Sequence, residues 1–250
     1  MTAKEYITLK HAKTSKSIQK KLQTYDALDT SQLEYLLRRH DVKYITINDL
    51  NYPPLLKEIY DPPYILYYRG NIDLLKIHAL SIVGSRNCTQ YTRASLSSLL
   101  SELSNVVIVS GLAFGADEYA HKIAIDNQLP TIGILAFGHS IHYPKTTQHM
   151  RDVLDCHYLT LSEYPPETGI EKWRFVARNR IIAGLSKGVL VTEAEEKSGS
   201  LVTLEMAMDE NRSAMCLPGN MTSKYSKGTN LRIQEGAKMV LSAQDILEEL

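Results

Sequence analysis

The chain has 250 residues, of which 44% are hydrophobic and 22% charged, which is ordinary for a soluble globular protein. Its formal net charge at pH 7 is zero, which by itself argues against a general nucleic-acid binder. No apolar run reaches the roughly 18–20 residues needed to span a bilayer, and residues 1–21 lack the apolar core of a secretory signal.

Three cysteines occur in the sequence, at Cys88, Cys156 and Cys216. Their odd number and wide separation fit neither a disulfide framework nor a zinc site. Unpaired thiols of this kind are typical of a reducing compartment, so we expect a cytoplasmic protein.

The first 60 residues are predicted to form a small helical region. Ser31 and Glu34 have the spacing of a capping box, and apolar residues at helical spacing follow in residues 33–39. Pro53-Pro54 suits a first helical turn, and Pro62-Pro63 breaks the chain before a new apolar segment. We therefore place a boundary near residues 50–63 and divide the chain into residues 1–60 and 61–250.

Positive charge is concentrated in the first 57 residues, which hold 10 Lys/Arg against 6 Asp/Glu, a net charge of +4. Two interpretations are open: a solvated or frayed basic terminus, or an auxiliary contact to phosphates that would make binding salt-dependent. The lysines concerned are Lys4, Lys10, Lys13, Lys16, Lys20 and Lys21.

From Ala79 onward, short apolar or β-branched runs alternate with stretches of helical length. Continuous apolar strands indicate a sheet covered on both faces, and the alternation indicates βαβ units with parallel strands. The prediction is an α/β fold: an extended Rossmann-like, doubly wound and mostly parallel sheet. The predicted strands are 79–83, 106–109, 131–137, 158–161, 188–192 and 213–217, with helices near 90–103, 116–128, 146–155, 174–185 and 200–210.

Nearly every predicted strand ends in a cluster of Gly, Ser, Asn or charged residues. The carboxyl ends of parallel strands share one edge of a sheet, where such folds bind ligands. Glycine permits close backbone approach, and the following helix N-termini offer free N–H groups and partial positive charge. We therefore predict an anion-binding crevice suited to phosphate. The candidate residues are Gly84, Ser85, Arg86, Ser110, Gly111, Phe114, Gly115, Ser198, Gly199 and Ser200.

Familiar nucleotide-binding patterns do not occur in these loops. Gly84-Ser85-Arg86 lacks the full glycine spacing of a dinucleotide fingerprint, and no Walker-type Gly-Lys-Ser/Thr follows a strand. We therefore expect no cofactor.

The segment that begins at Lys172 combines aromatic rings with positive charge. Two aromatic and four basic residues lie within nine positions, and Arg174 and Arg178 would share one face of a helix. Rings for base stacking and charge for a backbone are what single-strand binding uses, which makes Lys172, Phe175 and Arg178 candidate contacts. An amphipathic helix with inward rings and snorkelling arginines explains the same pattern equally well.

Asn179 and Arg180 lie beside the apolar pair Ile181-Ile182 in the same segment. This neighbourhood favours a structural role over ligand contact. We predict that they are buried partners of a loop carboxylate, either Glu163 or Glu193.

Ordered motifs extend over residues 50–240 of the chain. They include Val83-Gly84-Ser85-Arg86, Ser162-Glu163-Tyr164-Pro165-Pro166, Arg178-Asn179-Arg180, Glu193-Ala194 and Pro218-Gly219-Asn220. In order and spacing these motifs resemble the DprA/Smf family of DNA-processing proteins.

The resemblance implies a homodimer that binds single-stranded DNA without sequence preference and has no established catalytic activity. Members of the family protect incoming strands during natural transformation and load the RecA recombinase onto them. By position, Arg86 would lie at the mouth of the DNA pocket, and Lys172 and Phe175 resemble the family's lysine and base-stacking aromatic. Leu231 and Ile233 are candidates for the dimer surface, because the family dimerises through its C-terminal side.

The chain departs from the family pattern in three respects. Its N-terminal helical region is shorter than the sterile-alpha-motif-like domain of many members, so we expect a truncated version. The resemblance ends near residue 240, so we expect this chain to lack the winged-helix-like C-terminal domain of some members. Phe114 stands where many relatives carry arginine, so the rim of the pocket loses one positive charge.

The main alternative is an enzyme, a nucleotide phosphoribohydrolase of the Lonely Guy/lysine-decarboxylase-like group. That group needs a glutamate at a fixed position after a glycine-rich loop, and Glu205 is displaced from it by two residues. On a helix this is about 200° around the axis and away from the site. Glu193 remains as a carboxylate that could serve hydrolysis.

Two further alternatives rest on weaker patterns. His139 and His142, with His149 and His157 nearby, lack the cysteine or carboxylate that would complete a metal site at usual spacing, so we expect no metal. No Gly-x-Ser-x-Gly elbow is present for a nucleophilic serine.

Overall fold

The computed structural model describes residues 31–250, which form one nine-stranded sheet with α-helices packed against it. The strands are β1 (Lys43–Thr46), β2 (Ile65–Gly70), β3 (Ala79–Val83), β4 (Val107–Ser110), β5 (Thr131–Leu135), β6 (Leu159–Ser162), β7 (Gly188–Val191), β8 (Ser213–Cys216) and β9 (Lys238–Met239). The helices are α1 (Ser31–Arg39), α2 (Pro54–Glu58), α3 (Gln90–Leu100), α4 (Ala116–Asp126), α5 (Gln148–His157), α6 (Lys172–Leu185), α7 (Gly199–Asp209), α8 (Lys227–Gln234) and α9 (Ala243–Leu247). The six N-terminal lysines lie outside the described residues.

The strands follow the order β1-β2-β6-β5-β4-β3-β7-β8-β9. Strands β3 to β9 pair in parallel, and β1 and β2 extend the sheet in antiparallel pairing beside β6. The predicted doubly wound, mostly parallel sheet is confirmed. Along the chain, β4, β5 and β6 are added on one side of β3, and β7 then pairs with β3 on the other side. In such folds this reversal leaves a crevice outside the carboxyl ends of the two strands.

Helices cover both faces of the sheet, as the continuous apolar strands predicted. On one face, Leu56 of α2, Ile182 of α6 and Leu204 of α7 belong to a single buried cluster. On the other, Leu96 of α3 and Ile123 of α4 belong to a second one, together with Ile246 of α9. Strands β3 to β8 and helices α3 to α7 agree with their predicted bounds within three residues.

The predicted N-terminal helical region contains a strand of the main sheet. Residues 43–46 form β1, which pairs with β2 from Lys43 opposite Tyr68 to Thr46 opposite Ile65. The helical assignment of these residues is wrong, because a four-residue strand at a sheet edge carries too short an alternation to be recognised. The division of the chain into residues 1–60 and 61–250 stays a prediction.

Among residues 31–250, no helix combines the length and the apolar character that a membrane-spanning segment requires.

Candidate nucleic-acid interface

A cleft of about 440 Å³ opens where the strand order reverses, between the carboxyl ends of β3 and β7. The loop after β3, the first turns of α6 and the first turn of α7 line it. It therefore brings together residues that are more than 100 positions apart in the sequence. The sequence-predicted residues at its wall are Gly84, Ser85, Arg86, Phe175, Arg178, Asn179, Ser198, Gly199 and Ser200.

The first turn of α7 presents the positive end of an eleven-residue helix to the cleft. Ser198 caps the helix, because its side chain accepts a hydrogen bond from the backbone N–H of Ser200. The Oγ atoms of these two serines are 2.8 Å apart, and the first turn holds no acidic residue. The partial positive charge of the helix end is thus available to an anion.

Arg178 and Asp117 are opposite charges buried in the wall of the cleft, each 6% exposed. Nη1 of Arg178 donates hydrogen bonds to the carbonyl oxygens of Gly111, at 2.8 Å, and Ile134, at 2.6 Å. The Asp117 carboxylate accepts from the N–H groups of Gly111 and Ala113. Burial raises the pKa of Asp117, and the Arg178 charge and the two N–H groups oppose that rise. These hydrogen bonds hold the loop after β4 between α4 and α6 and join α6 to β5.

Two of the predicted DNA contacts have buried side chains. Arg178 lines the cleft wall, but its Nη1 is engaged by the carbonyl oxygens of Gly111 and Ile134, so its contact with DNA stays a prediction. Ser110 is fully buried, and its hydroxyl donates to the carbonyl oxygen of Ile82. Both residues support the site from within.

Gly111 has a packing role beneath the cleft. A Cβ atom at this position would lie 2.1 Å from Nη1 of Arg178, so glycine is what permits the guanidinium to reach its acceptors. Gly115 has a φ of +86°, and a Cβ there would lie 2.4 Å from the carbonyl oxygen of Arg86. Ala116 donates its N–H to the carbonyl oxygen of Ser85. The loops after β3 and β4 therefore pack directly on each other.

Arg86 supplies the free positive charge of the cleft. Its side chain is exposed, and it forms no ion pair with any residue of the described range 31–250. Burial lowers the pKa of Arg178, Asp117 opposes that shift, and the nearby charge of Arg86 adds to it. Arg86 and the serine residues of the first turn of α7 line the same cleft, so the charge of Arg86 adds to that of the helix N-terminus.

Glu193 holds the loop that carries Arg86. Its buried carboxylate accepts from the backbone N–H of Thr89 at 2.7 Å and from the hydroxyls of Thr89 and Thr92, and its backbone carbonyl accepts from Ser85 N–H. These bonds tie the end of β7 to the loop after β3 and to the start of α3.

Arg180 and Glu163 form a two-bond ion pair, with N–O distances of 2.9 and 2.6 Å. Nε of Arg180 also donates to the carbonyl oxygen of Asp61. The pair thus joins α6 to the loop after β6 and to the chain before β2. Asn179, in contrast, lines the cleft instead of pairing with a loop carboxylate as predicted. Asn179 stands one position before Arg180, so the two side chains point to different sides of α6.

Phe175 lies between the cleft and a smaller pocket of about 100 Å³, and it lines both. Its ring centroid is 6.4 Å from that of Phe137 and 5.9 Å from that of Tyr143. Phe114, which is 53% exposed, borders the smaller pocket beside Arg86. Phe137 and Tyr143 are not among the residues that the sequence predicts for the site. Phe137 falls within the predicted strand 131–137, and the loop that carries Tyr143 has no recognisable motif.

The predicted residues Lys172, Leu231 and Ile233 lie away from the cleft wall. Lys172 is exposed at the first position of α6. Leu231 and Ile233 of α8 line a separate groove beside β9, together with Met221 and Met239. They are half-buried, whereas the two methionines are exposed.

The residues of the alternative functions are engaged in other contacts. Glu205 pairs with Arg232 of α8. His139 is buried against Thr160, and burial and the neighbouring Arg151 lower its pKa to about 3. In the range 31–250, no group of three His, Cys, Asp or Glu side chains is placed to hold a metal ion.

The family model described as DNA recombination-mediator protein A matches residues 43–250. The chain belongs to this family. It is 46% identical over 205 residues to the DNA processing protein DprA of Streptococcus pneumoniae, covering 82% of this chain and 73% of that protein. It is 43% identical over 216 residues to DprA of Bacillus subtilis, covering 85% and 73%. The predicted DprA/Smf membership is confirmed, and these relatives are named as DNA-processing proteins, not as enzymes.

Solved structures of the family agree with the fold. The X-ray structure of Streptococcus pneumoniae DprA matches with a TM-score of 0.86 at 38% identity, covering 100% of this chain and 87% of that one. A structure that addresses the single-stranded DNA binding mode of Helicobacter pylori DprA matches with a TM-score of 0.74 at 30% identity. That match covers 82% of this chain and 94% of the other.

Replacement of Arg178 by leucine should lower the free energy of unfolding by about 3–5 kcal/mol, because two backbone carbonyl oxygens lose their charged donor and the buried Asp117 loses a compensating charge. Urea denaturation followed by circular dichroism measures this loss. The matched control is Arg93→Leu, which removes an exposed arginine of α3 and should change stability by about 0.5 kcal/mol or less. A loss for Arg178→Leu as small as that of the control would contradict a structural role for the buried pair.

Proposed function

We propose that this protein binds single-stranded DNA without sequence preference, in the cleft between β3 and β7, as a recombination mediator. The observation that carries the proposal is the combination of an unpaired arginine, a helix N-terminus and an aromatic ring in one crevice. Arg86 and the first turn of α7 suit a phosphate, and Phe175 offers a ring to a base.

The size of the cleft favours a single strand over a duplex. A volume of about 440 Å³ is in the range of pockets that enclose one small ligand, so it accommodates a nucleotide but not a double helix. Phosphate contacts and ring faces carry no base-specific information. Binding through these groups is therefore independent of sequence.

The same geometry favours holding a strand over chemistry on it. Glu205, the glutamate considered for glycosidic cleavage, pairs with Arg232, and Glu193 is enclosed by the bonds that it accepts from Thr89 and Thr92. Neither carboxylate lines the cleft. We propose that the protein is not an enzyme, and steady release of free base from nucleoside monophosphates would contradict this.

Replacement of Arg86 by alanine should raise the Kd for an unstructured oligonucleotide roughly ten- to a hundredfold, because a charge-assisted hydrogen bond to a phosphate is lost. The slope of log K against log salt should become shallower by about 0.7, the value for one phosphate on a single strand. Fluorescence anisotropy with a labelled oligothymidylate measures both quantities. Arg93→Ala, which removes an exposed arginine outside the cleft, is the matched control.

A second variant separates stacking from charge in this assay. Phe175→Leu keeps an apolar side chain next to Phe137 and Tyr143 but removes the ring face, so the affinity should fall with the salt slope unchanged. Equal affinity for duplex and single strand, or an Arg86→Ala affinity equal to that of Arg93→Ala, would contradict the proposed site.

We also propose that the protein protects incoming strands during natural transformation and loads the RecA recombinase onto them in the cytoplasm. Family membership supports this role. A strand held in a shallow cleft remains accessible on both sides of the bound nucleotide. A recombinase requires this access in order to bind the strand in its turn. The protein should shorten the lag of RecA filament formation on single strands, and an unchanged lag would contradict loading.

We further propose that the protein forms a homodimer through the groove that Leu231 and Ile233 line beside the edge strand β9. Met221 and Met239 add exposed apolar surface there, at 89% and 43% exposure. Exposed apolar groups at a sheet edge are typical of an interaction surface. Sedimentation velocity should show a dimer for the wild type and a monomer for Leu231→Glu, and a wild-type monomer at micromolar concentration would contradict the proposal.

A further inference from the structure

An exposed apolar surface adjoins the cleft on the N-terminal part of α6. Trp173 is 45% exposed and Val176 is 51% exposed, and Ile170, just before the helix, is 43% exposed. Trp173 and Val176 are three positions apart and are therefore neighbours on the helix surface. Because Val176 also lines the cleft, this surface continues from the cleft wall to the Trp173 ring.

The Trp173 ring is held in place by two neighbours. The Tyr164 ring meets it edge to face, at 83° and with centroids 6.4 Å apart. The guanidinium carbon of Arg174 is 5.3 Å from the Trp173 centroid and 5.1 Å from that of Tyr164. Arg174 also donates a hydrogen bond to the carbonyl oxygen of Gly169. A ring fixed in this way loses little conformational entropy when a second planar group stacks on it.

Positive charge lies on the same part of the helix. Lys172 is exposed and stands four positions before Val176, so the two side chains are neighbours on the helix surface. Arg174 adds a guanidinium beside the rings. An exposed aromatic ring flanked by cations is the combination that binds successive nucleotides of a single strand.

We infer that Trp173, supported by Tyr164 and Arg174, stacks a second base of the same strand, next to the nucleotide held in the cleft. We call these three residues the outer stacking site. Lys172 binds the phosphate that joins the two nucleotides. The strand therefore leaves the cleft over Val176 and continues along the N-terminal end of α6. This inference rests on the proposed function, since it assigns a second contact to a strand bound in the cleft.

Trp173 is the sole tryptophan of the 250-residue chain, so its fluorescence reports directly on this site. Titration with an oligothymidylate should quench the Trp173 emission. The excitation wavelength is chosen so that tyrosine contributes little to the signal. The quenching should follow the same isotherm as the anisotropy of the labelled strand. An oligonucleotide of the same length with abasic sites keeps the phosphates and removes the stacking partners, so it should bind more weakly and quench far less.

Substitution gives a second, independent measurement. Trp173→Ala should raise the Kd for the oligothymidylate by about fivefold or more, and Trp173→Tyr should restore most of the affinity. Tyr35→Ala removes an exposed aromatic ring from α1, which precedes the strand at the far edge of the sheet, and should leave the Kd unchanged.

The possible outcomes distinguish the two proposals. A strand that binds by anisotropy but leaves the Trp173 emission unchanged would overturn the outer stacking site and leave the cleft intact. The outer stacking site would also be overturned if Trp173→Ala bound the strand with the same Kd as Tyr35→Ala, or if the abasic strand quenched the Trp173 emission as strongly as the intact strand. If the wild type fails to bind the strand by anisotropy, the proposed function itself is overturned.

Discussion

The backbone hydrogen bonds of the buried Arg178 and Asp117 are the interactions on which the candidate site depends. A buried guanidinium or carboxylate is stable only when hydrogen bonds and a nearby opposite charge offset the loss of water. Arg178 donates to the carbonyl oxygens of Gly111 and Ile134, and Asp117 accepts from the N–H groups of Gly111 and Ala113, so the loop after β4 is fixed between α4 and α6. The cleft is the space that this fixed loop leaves beside the first turn of α7.

Three carboxylates beside the cleft are engaged by groups of the protein itself, which limits the negative charge that a ligand meets. Asp117 binds loop N–H groups, Glu193 binds Thr89 and Thr92, and Glu163 binds Arg180. Each carboxylate stabilises a loop and is satisfied by it. The cleft therefore keeps the uncompensated charge of Arg86 and the helix dipole, although the chain as a whole has zero net charge. Local arrangement, not composition, makes the site basic.

The parallel part of the fold could be predicted from the sequence because its strands are continuous apolar runs that end in glycine or serine. This pattern also placed Arg86 and Ser198 on the same edge of the sheet. The strand β1 could not be found in this way, because four residues at an edge show too little periodicity.

The roles of individual side chains depended on the three-dimensional structure. Arg174 and Arg178 look alike in the sequence, but only Arg178 reaches the carbonyl oxygens of Gly111 and Ile134, and nothing local to the helix indicates those partners. Phe175 was a reasonable candidate for stacking, whereas Phe137 and Tyr143 join it only because the loop after β5 folds over α6. Contacts of this kind link distant parts of the chain and leave no spacing signal.

The measurement that tests the central claim most directly is a structure of the protein bound to a short oligothymidylate. The account predicts a phosphate within hydrogen-bonding distance of Arg86 and of the N–H groups in the first turn of α7, with a base against the Phe175 ring. A strand bound at another surface, with the cleft between β3 and β7 free of nucleotide, would contradict it.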